Sequence, residues 1–220
     1  MPDRDLLGRV VAVVGSTGGL GRATADVLER RGATVVRVGH STPADVTLDL
    51  RDSTAGVALI EHSRAVHGRL DGVIVAAGIV AFGNLVDTDD VVMEELFLTN
   101  ALGPMWLAKR VAPALEETQG FFVSISGVVA ETPMPGMAAY SASKAAVAAA
   151  MESIRREFRR SRVQVIDARP PHTETGLATR PLAGVAPKMP IGLTPEVVAE
   201  RIVVAIERNE SVVAPGDFSS

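Results

Sequence analysis

The chain contains a single tyrosine, Tyr140, and a lysine four residues later, Lys144, within Tyr140-Ser141-Ala142-Ser143-Lys144. The alanine-rich run Ala145 to Ala150 that follows favours a helix, which would put Tyr140 and Lys144 at i and i+4 on one face. A nearby ammonium and a helix N-terminus both favour phenolate, so the spacing predicts a tyrosine pKa pulled below its usual ~10. Such a phenol can exchange protons near neutral pH. The same spacing also fits a tyrosine packed at a helix start beside an unrelated solvated lysine. The rest of the chain decides between the two.

A second stretch with chemical potential lies near the start. The β-branched run Val10-Val11-Ala12-Val13-Val14 reads as a buried strand, and Gly15-Ser16-Thr17-Gly18-Gly19-Leu20-Gly21 leads from it into a helix. Glycines at 15, 19 and 21 permit a tight turn and close backbone approach, and the helix N-terminus offers free N–H groups to a pyrophosphate. A second strand, Thr34 to Val38, ends in Gly39-His40-Ser41-Thr42 rather than in an acid. An acid there selects an unphosphorylated ribose. Its absence, with His40, Ser41 and nearby Arg22 or Arg37, favours NADP(H) over NAD(H), although the same residues also fit a simple polar turn.

The elements that must position these residues follow in order. The next strand, about Asp45 to Leu50, comes too soon for an intervening helix, so that crossover is a bare loop. Asp49 and Leu50 at its end are candidates to touch an adenine; Asp49 alternatively caps the helix that follows, Asp52 to His67. Asp71 to Gly78 forms a fourth strand, and its small residues Ala76, Ala77 and Gly78 would let a flat cofactor lie against backbone. A long helix from Thr88 or Asp89 toward Leu115 contains Asn100, unfavourable by propensity in an apolar stretch, which marks it as a candidate functional residue. Phe121 to Ser126 is the fifth strand, the Tyr140/Lys144 helix spans about 138 to 160, and Val163 to Ala168 is the sixth strand. Thr194-Pro195-Glu196 opens a last helix, and Val212-Val213 closes the sheet. Strands alternating with helices argue a doubly wound parallel α/β sheet.

Composition bounds the function. At 220 residues the chain suits one domain, and net charge −4 without a basic block argues against nucleic acid. The absence of cysteine excludes thiolate chemistry and disulfides and fits a cytoplasmic setting. His40, His62, His67 and His172 are scattered, so no metal site is expected. The charged start lacks a signal-peptide layout and no apolar run is long enough to span a bilayer.

Together these motifs resemble the short-chain dehydrogenase/reductases over nearly the whole chain. The family's Gly-x-x-x-Gly-x-Gly turn stands here as Gly15, Gly19 and Gly21, and its Tyr-x-x-x-Lys as Tyr140 and Lys144. Asn100 matches its helix asparagine and Asp49 its adenine-contacting acid. The resemblance implies a Rossmann-type oxidoreductase moving hydride between NAD(P) and a carbonyl or alcohol. Tyr140 would be the acid/base, Lys144 would bind the nicotinamide ribose, and Asn100 would hold a water in a proton relay. Thr173 and Thr175 would suit the nicotinamide amide and the phosphates, after Pro170-Pro171 where the family has Pro-Gly. Homodimers or homotetramers through the long helices are implied as well.

Two further departures matter. Val75-Ala76-Ala77-Gly78 replaces the family's Asn-Asn-Ala-Gly. The family's catalytic serine, thirteen residues before the tyrosine, is Gly127 here. Ser126 is one residue early and in a regular strand would face the other way, so it serves only if the strand end is bulged or twisted. A missing oxyanion donor costs ~10²–10³ in rate. The alternative reading is therefore a cofactor-binding protein of the same fold with little turnover. An apolar substrate pocket is expected from Val128, Met134 and Met137, under a lid formed by residues 176–193.

Overall fold

The computed structural model describes residues 3–218. Seven parallel strands form one sheet in the order β3-β2-β1-β4-β5-β6-β7. They are β1 (Val10–Val14), β2 (Thr34–Gly39), β3 (Val46–Thr47), β4 (Gly72–Val75), β5 (Phe121–Ile125), β6 (Gln164–Ala168) and β7 (Val212–Val213). The expected α/β doubly wound sheet is present, and the β2–β3 crossover has no helix. Strand β3 is shorter than the 45–50 expected, because only Val46 and Thr47 pair with β2 before the chain turns at Leu50.

Helices cover both faces, and alternation along each strand decides which core a side chain joins. Val11, Val13, Ile74, Val123 and Ile166 pack against α1 (Gly19–Arg30) and α6 (Pro195–Glu207). Val10, Ala12, Val14, Val73, Val75, Phe122 and Val165 face the other way. That side is covered by α2 (Ala55–His67), α4 (Gly103–Thr118) and α5 (Ala138–Phe158). Helix α6 starts as its sequence predicts: Thr194 Oγ1 accepts the Val197 N–H, with Pro195 at the first helical position.

The long helix expected from residue 88 to 115 is not one helix. Helix α3 (Asp90–Phe97) is followed by a π-helical turn, Leu98–Leu102, before α4 begins. Pro104 explains the break. It has no N–H to donate to the Asn100 carbonyl, so the α-helical ladder cannot close there. The backbone takes a wider turn instead, in which the Gly103 N–H reaches Leu98 O. Asn100 sits in this turn, the kind of irregularity that often accompanies a functional site.

The strand order reverses on either side of β1, which leaves a crevice at the carboxyl ends of β1 and β4. In this class of sheet, ligands bind in that crevice.

Candidate active site

The turn after β1 is built as the glycine spacing predicts. Gly15 has φ +87, and a Cβ there would lie 2.6 Å from Ala77 N. A Cβ on Gly19 would sit 3.0 Å from Thr175, and one on Gly21 would collide with the Gly15 carbonyl. Any side chain at these positions would force the turn open. Helix α1 then begins with Gly18 as N-cap, no side-chain cap and no acid in its first turn. The Gly18 N–H goes to Gly15 O and the Arg22 N–H to Gly18 O. That leaves the N–H groups of Gly19, Leu20 and Gly21 as the uncapped donors at the positive end of the helix, a donor set that fits a pyrophosphate.

This turn floors one end of a cleft of about 660 Å³. Along it lie most of the residues singled out for cofactor contact: Gly15, Thr17, Gly19, Leu20, Gly21, His40, Asp49, Leu50, Ala76, Ala77, Gly78, Pro170, Thr173 and Thr175. Ser16 is different. Its hydroxyl donates to Val38 O at 3.1 Å and is buried in the β1–β2 junction, so it braces the turn. Ser41 is exposed beyond the lining residues. Arg37, expected as an alternative partner for a ribose phosphate, is drawn onto α1 by Asp26 at 3.1 Å and Glu29 at 2.9 Å. Asp49 is gripped by Arg51 at 2.7 Å, which holds its carboxyl down at about 2.

Tyr140, Lys144 and Ser126 line the same cleft. Asn100 stands just behind its wall: a Cβ on Gly78 would lie 3.2 Å from Asn100 Oδ1 and 3.4 Å from Lys144 Nζ. Asn100 is satisfied on both sides. Oδ1 accepts the Ile79 N–H at 3.0 Å, and Nδ2 donates to Ile79 O at 2.9 Å and to Ser143 Oγ at 3.1 Å. The amide thereby ties the loop after β4 to α5.

The electrostatics correct one expectation. The Tyr140 phenol is pushed up to about 12, not down, because burial disfavours its anion. Lys144 does not offset this, because its Nζ donates to Ile125 O at 2.8 Å. Burial lowers Lys144 to about 8, partly opposed by Asp167.

Gly127 and Ser126 also resolve into distinct situations. Gly127 has φ +85 and ψ 166, a conformation that L side chains rarely adopt, although a Cβ there would meet only Pro170 O at 3.8 Å. The end of β5 is bulged here, with the Ser126 and Gly127 N–H groups both directed at Ala168 O. Ser126 Oγ donates to Asp167 Oδ1 at 2.5 Å. Asp167 escaped the sequence reading, although an acid inside Val165-Ile166-Asp167-Ala168 was a visible irregularity.

The far end of the cleft is apolar, walled by Val80, Phe82, Val128, Met134, Met137 and Leu177, with His172 among them. Residues 176–193 cross over it. Leu182 N–H donates to Val80 O, Phe82 N–H to Ala183 O, and Leu193 N–H to His172 O. Among the described residues no cluster of His, Cys, Asp and Glu could hold a metal, and no helix is long and apolar enough to cross a membrane.

Comparison with known proteins agrees with this fold. The sequence model of the short chain dehydrogenase family matches residues 9–183. A Bos taurus protein named dehydrogenase/reductase SDR family member 7B is 29% identical, over 94% of this chain and 73% of its own. A short-chain dehydrogenase/reductase from Burkholderia phymatum, solved in complex with NAD, superposes with a TM-score of 0.85 at 20% identity, covering 96% of this chain and 90% of that one. The ligand-free aldohexose dehydrogenase of Thermoplasma acidophilum gives 0.83 at 19% identity, covering 99% and 96%. At such identities the two solved structures speak for the fold.

Proposed function

Since the chain belongs to the short-chain dehydrogenase family, we propose that it moves hydride between a nicotinamide dinucleotide and a small or medium apolar carbonyl or alcohol. The observation that carries this reading is the meeting of the glycine turn, Tyr140 and Lys144 in one cleft. The bound nicotinamide supplies or takes up the hydride. The uncapped N–H groups of Gly19, Leu20 and Gly21 hold the pyrophosphate, and Gly78 leaves room against backbone. In the reducing direction Tyr140 Oη gives its proton to the carbonyl oxygen as hydride reaches the carbonyl carbon. A phenol held at about 12 is protonated at neutral pH and so is set up as the acid. The Lys144 ammonium binds the ribose hydroxyls and stabilises the phenolate left behind. The Asn100 carbonyl, which Pro104 deprives of its α-helical donor, is suited to hold the water that reprotonates the site.

The cofactor favoured is NADP(H) over NAD(H). No carboxylate ends β2, and His40, 74% exposed, stands at the mouth with Arg22 on the adjoining helix. Residues 176–193 serve as the substrate lid of a single domain. Exposed Phe97, Leu102 and Met105, on segments that pack beside α5, and the exposed Ala142 and Ala149 of α5 itself suit assembly into homodimers or homotetramers.

One observation favours a second reading of low turnover. Gly127 holds a glycine conformation and Ser126 directs its hydroxyl hydrogen bond to Asp167, so neither supplies the expected oxyanion donor. Mixing the protein with NADPH or NADH and a panel of ketones, aldehydes and quinones separates the two. Loss of 340 nm absorbance dependent on a carbonyl supports the reductase. Tight cofactor binding with no turnover on any carbonyl supports the second reading. A clear preference for NADH would overturn the cofactor assignment.

A further inference from the structure

Strand β6 is apolar along its middle except at one position. Asp167 is buried at 3% exposure between Ile166 and Ala168. An ionised carboxylate in such a place is costly unless its oxygens are satisfied. They are: Oδ1 accepts the Ser126 hydroxyl at 2.5 Å and Oδ2 accepts Arg169 Nε at 2.6 Å. Arg169 is held in turn by Glu131 at 2.5 Å.

Asp167 lies opposite Ser124 in register, two residues beyond Val165 and so on the sheet face that α5 covers. On that face Lys144 Nζ docks on the carbonyl of Ile125, the residue immediately before Ser126. Asp167 is the charge that supports the buried ammonium against its desolvation. The other groups facing Lys144 give it no such support. Tyr140, one turn earlier on α5, is neutral below its high pKa. Asn100 and Gly78, from the π turn and the loop after β4, carry no charge, and the Arg169 cation stands behind Asp167.

We propose that Asp167 is a positioning residue for Lys144. Its carboxylate clamps Ser126 at the end of β5, which sets the Ile125 carbonyl where Lys144 docks, and it supplies the counter-charge for the ammonium. Ser126 then serves the site from beneath, as a strut whose single proton is committed to Asp167. The bulge at Gly127 follows from the same clamp, because it lets the chain leave β5 while Ser126 stays turned toward β6. The functional arm of this inference rests on the reaction proposed above; the structural arm does not.

The chain has only three lysines, Lys109, Lys144 and Lys188, so the ammonium can be followed directly. The cofactor-free protein is labelled with ε-¹³C-lysine and titrated by NMR, with Lys109→Arg and Lys188→Arg assigning the signals. Asp167→Asn keeps an acceptor for Ser126 and removes the charge, and it should lower the Lys144 midpoint by about one pH unit. A midpoint unchanged in a folded Asp167→Asn protein overturns the proposal, whatever that variant does to stability. Should Asp167→Asn not fold, Arg169→Gln carries the test: relieved of its guanidinium, Asp167 should raise the Lys144 midpoint, and no movement overturns the proposal. With a carbonyl substrate, the alkaline limb of kcat/KM should move with the NMR midpoint. A wild-type protein that shows the NMR coupling but no turnover would support the Asp167–Lys144 link while contradicting the proposed reaction.

Discussion

Lys144 Nζ donates to the Ile125 carbonyl at 2.8 Å, so the buried ammonium is anchored to the end of β5 rather than to Tyr140. Burial brings its folded pKa down to about 8, below the ordinary lysine value of 10.5. Between those values the unfolded chain binds more protons, so stability should rise with pH from about 8 to 10.5 and be lost again as pH falls through 8. The full span is on the order of 3 kcal/mol. Urea midpoints across that window should climb in the wild type and stay flat in Lys144→Met. A wild-type curve as flat as the variant's would contradict the buried ammonium.

The single tyrosine makes the second titration visible by absorbance. Phenolate formation at 295 nm in the cofactor-free protein should have its midpoint near 12. Because the folded pKa is raised above 10, the contribution to stability is present below pH 10 and lost as pH rises toward 12. A midpoint at or below 10 would mean that Lys144, contrary to the geometry, already acts on the phenol without cofactor.

Gly127→Ser tests whether the missing hydroxyl can simply be restored. Space is available, but φ +85 is not a conformation that serine adopts readily. The substitution should lower stability by about 1–3 kcal/mol and bring no gain in turnover. A faster enzyme of unchanged stability would show that the backbone relaxes at no cost.

The glycine turn can be probed without any substrate. Gly21→Ala places a methyl against the Gly15 carbonyl, so the turn must open and NADPH affinity, read by fluorescence titration, should fall by at least tenfold. Affinity equal to wild type would remove the turn from the cofactor site.

Much of this site was legible in the chain. Continuous β-branched runs gave the strands, and the glycine spacing gave the turn, because each glycine answers a contact that a methyl would violate. The short gap before residue 45 already implied a crossover without a helix. What escaped depended on three-dimensional neighbours. The π turn at Asn100 follows from Pro104 four residues on, a local signal that helical periodicity hid. The sign of the Tyr140 shift escaped because sequence spacing puts a lysine nearby but does not say which oxygen it chooses. Ser126 could be placed on a strand end from its neighbours, whereas its commitment to Asp167 needed the β5–β6 register.

Tyr140→Phe removes the hydroxyl proposed to give and take the proton in hydride transfer. On the best carbonyl substrate found with NADPH, kcat should fall by at least about 10²-fold, with NADPH affinity unchanged. A variant that retains wild-type kcat, with the same cofactor affinity, would contradict that role for Tyr140.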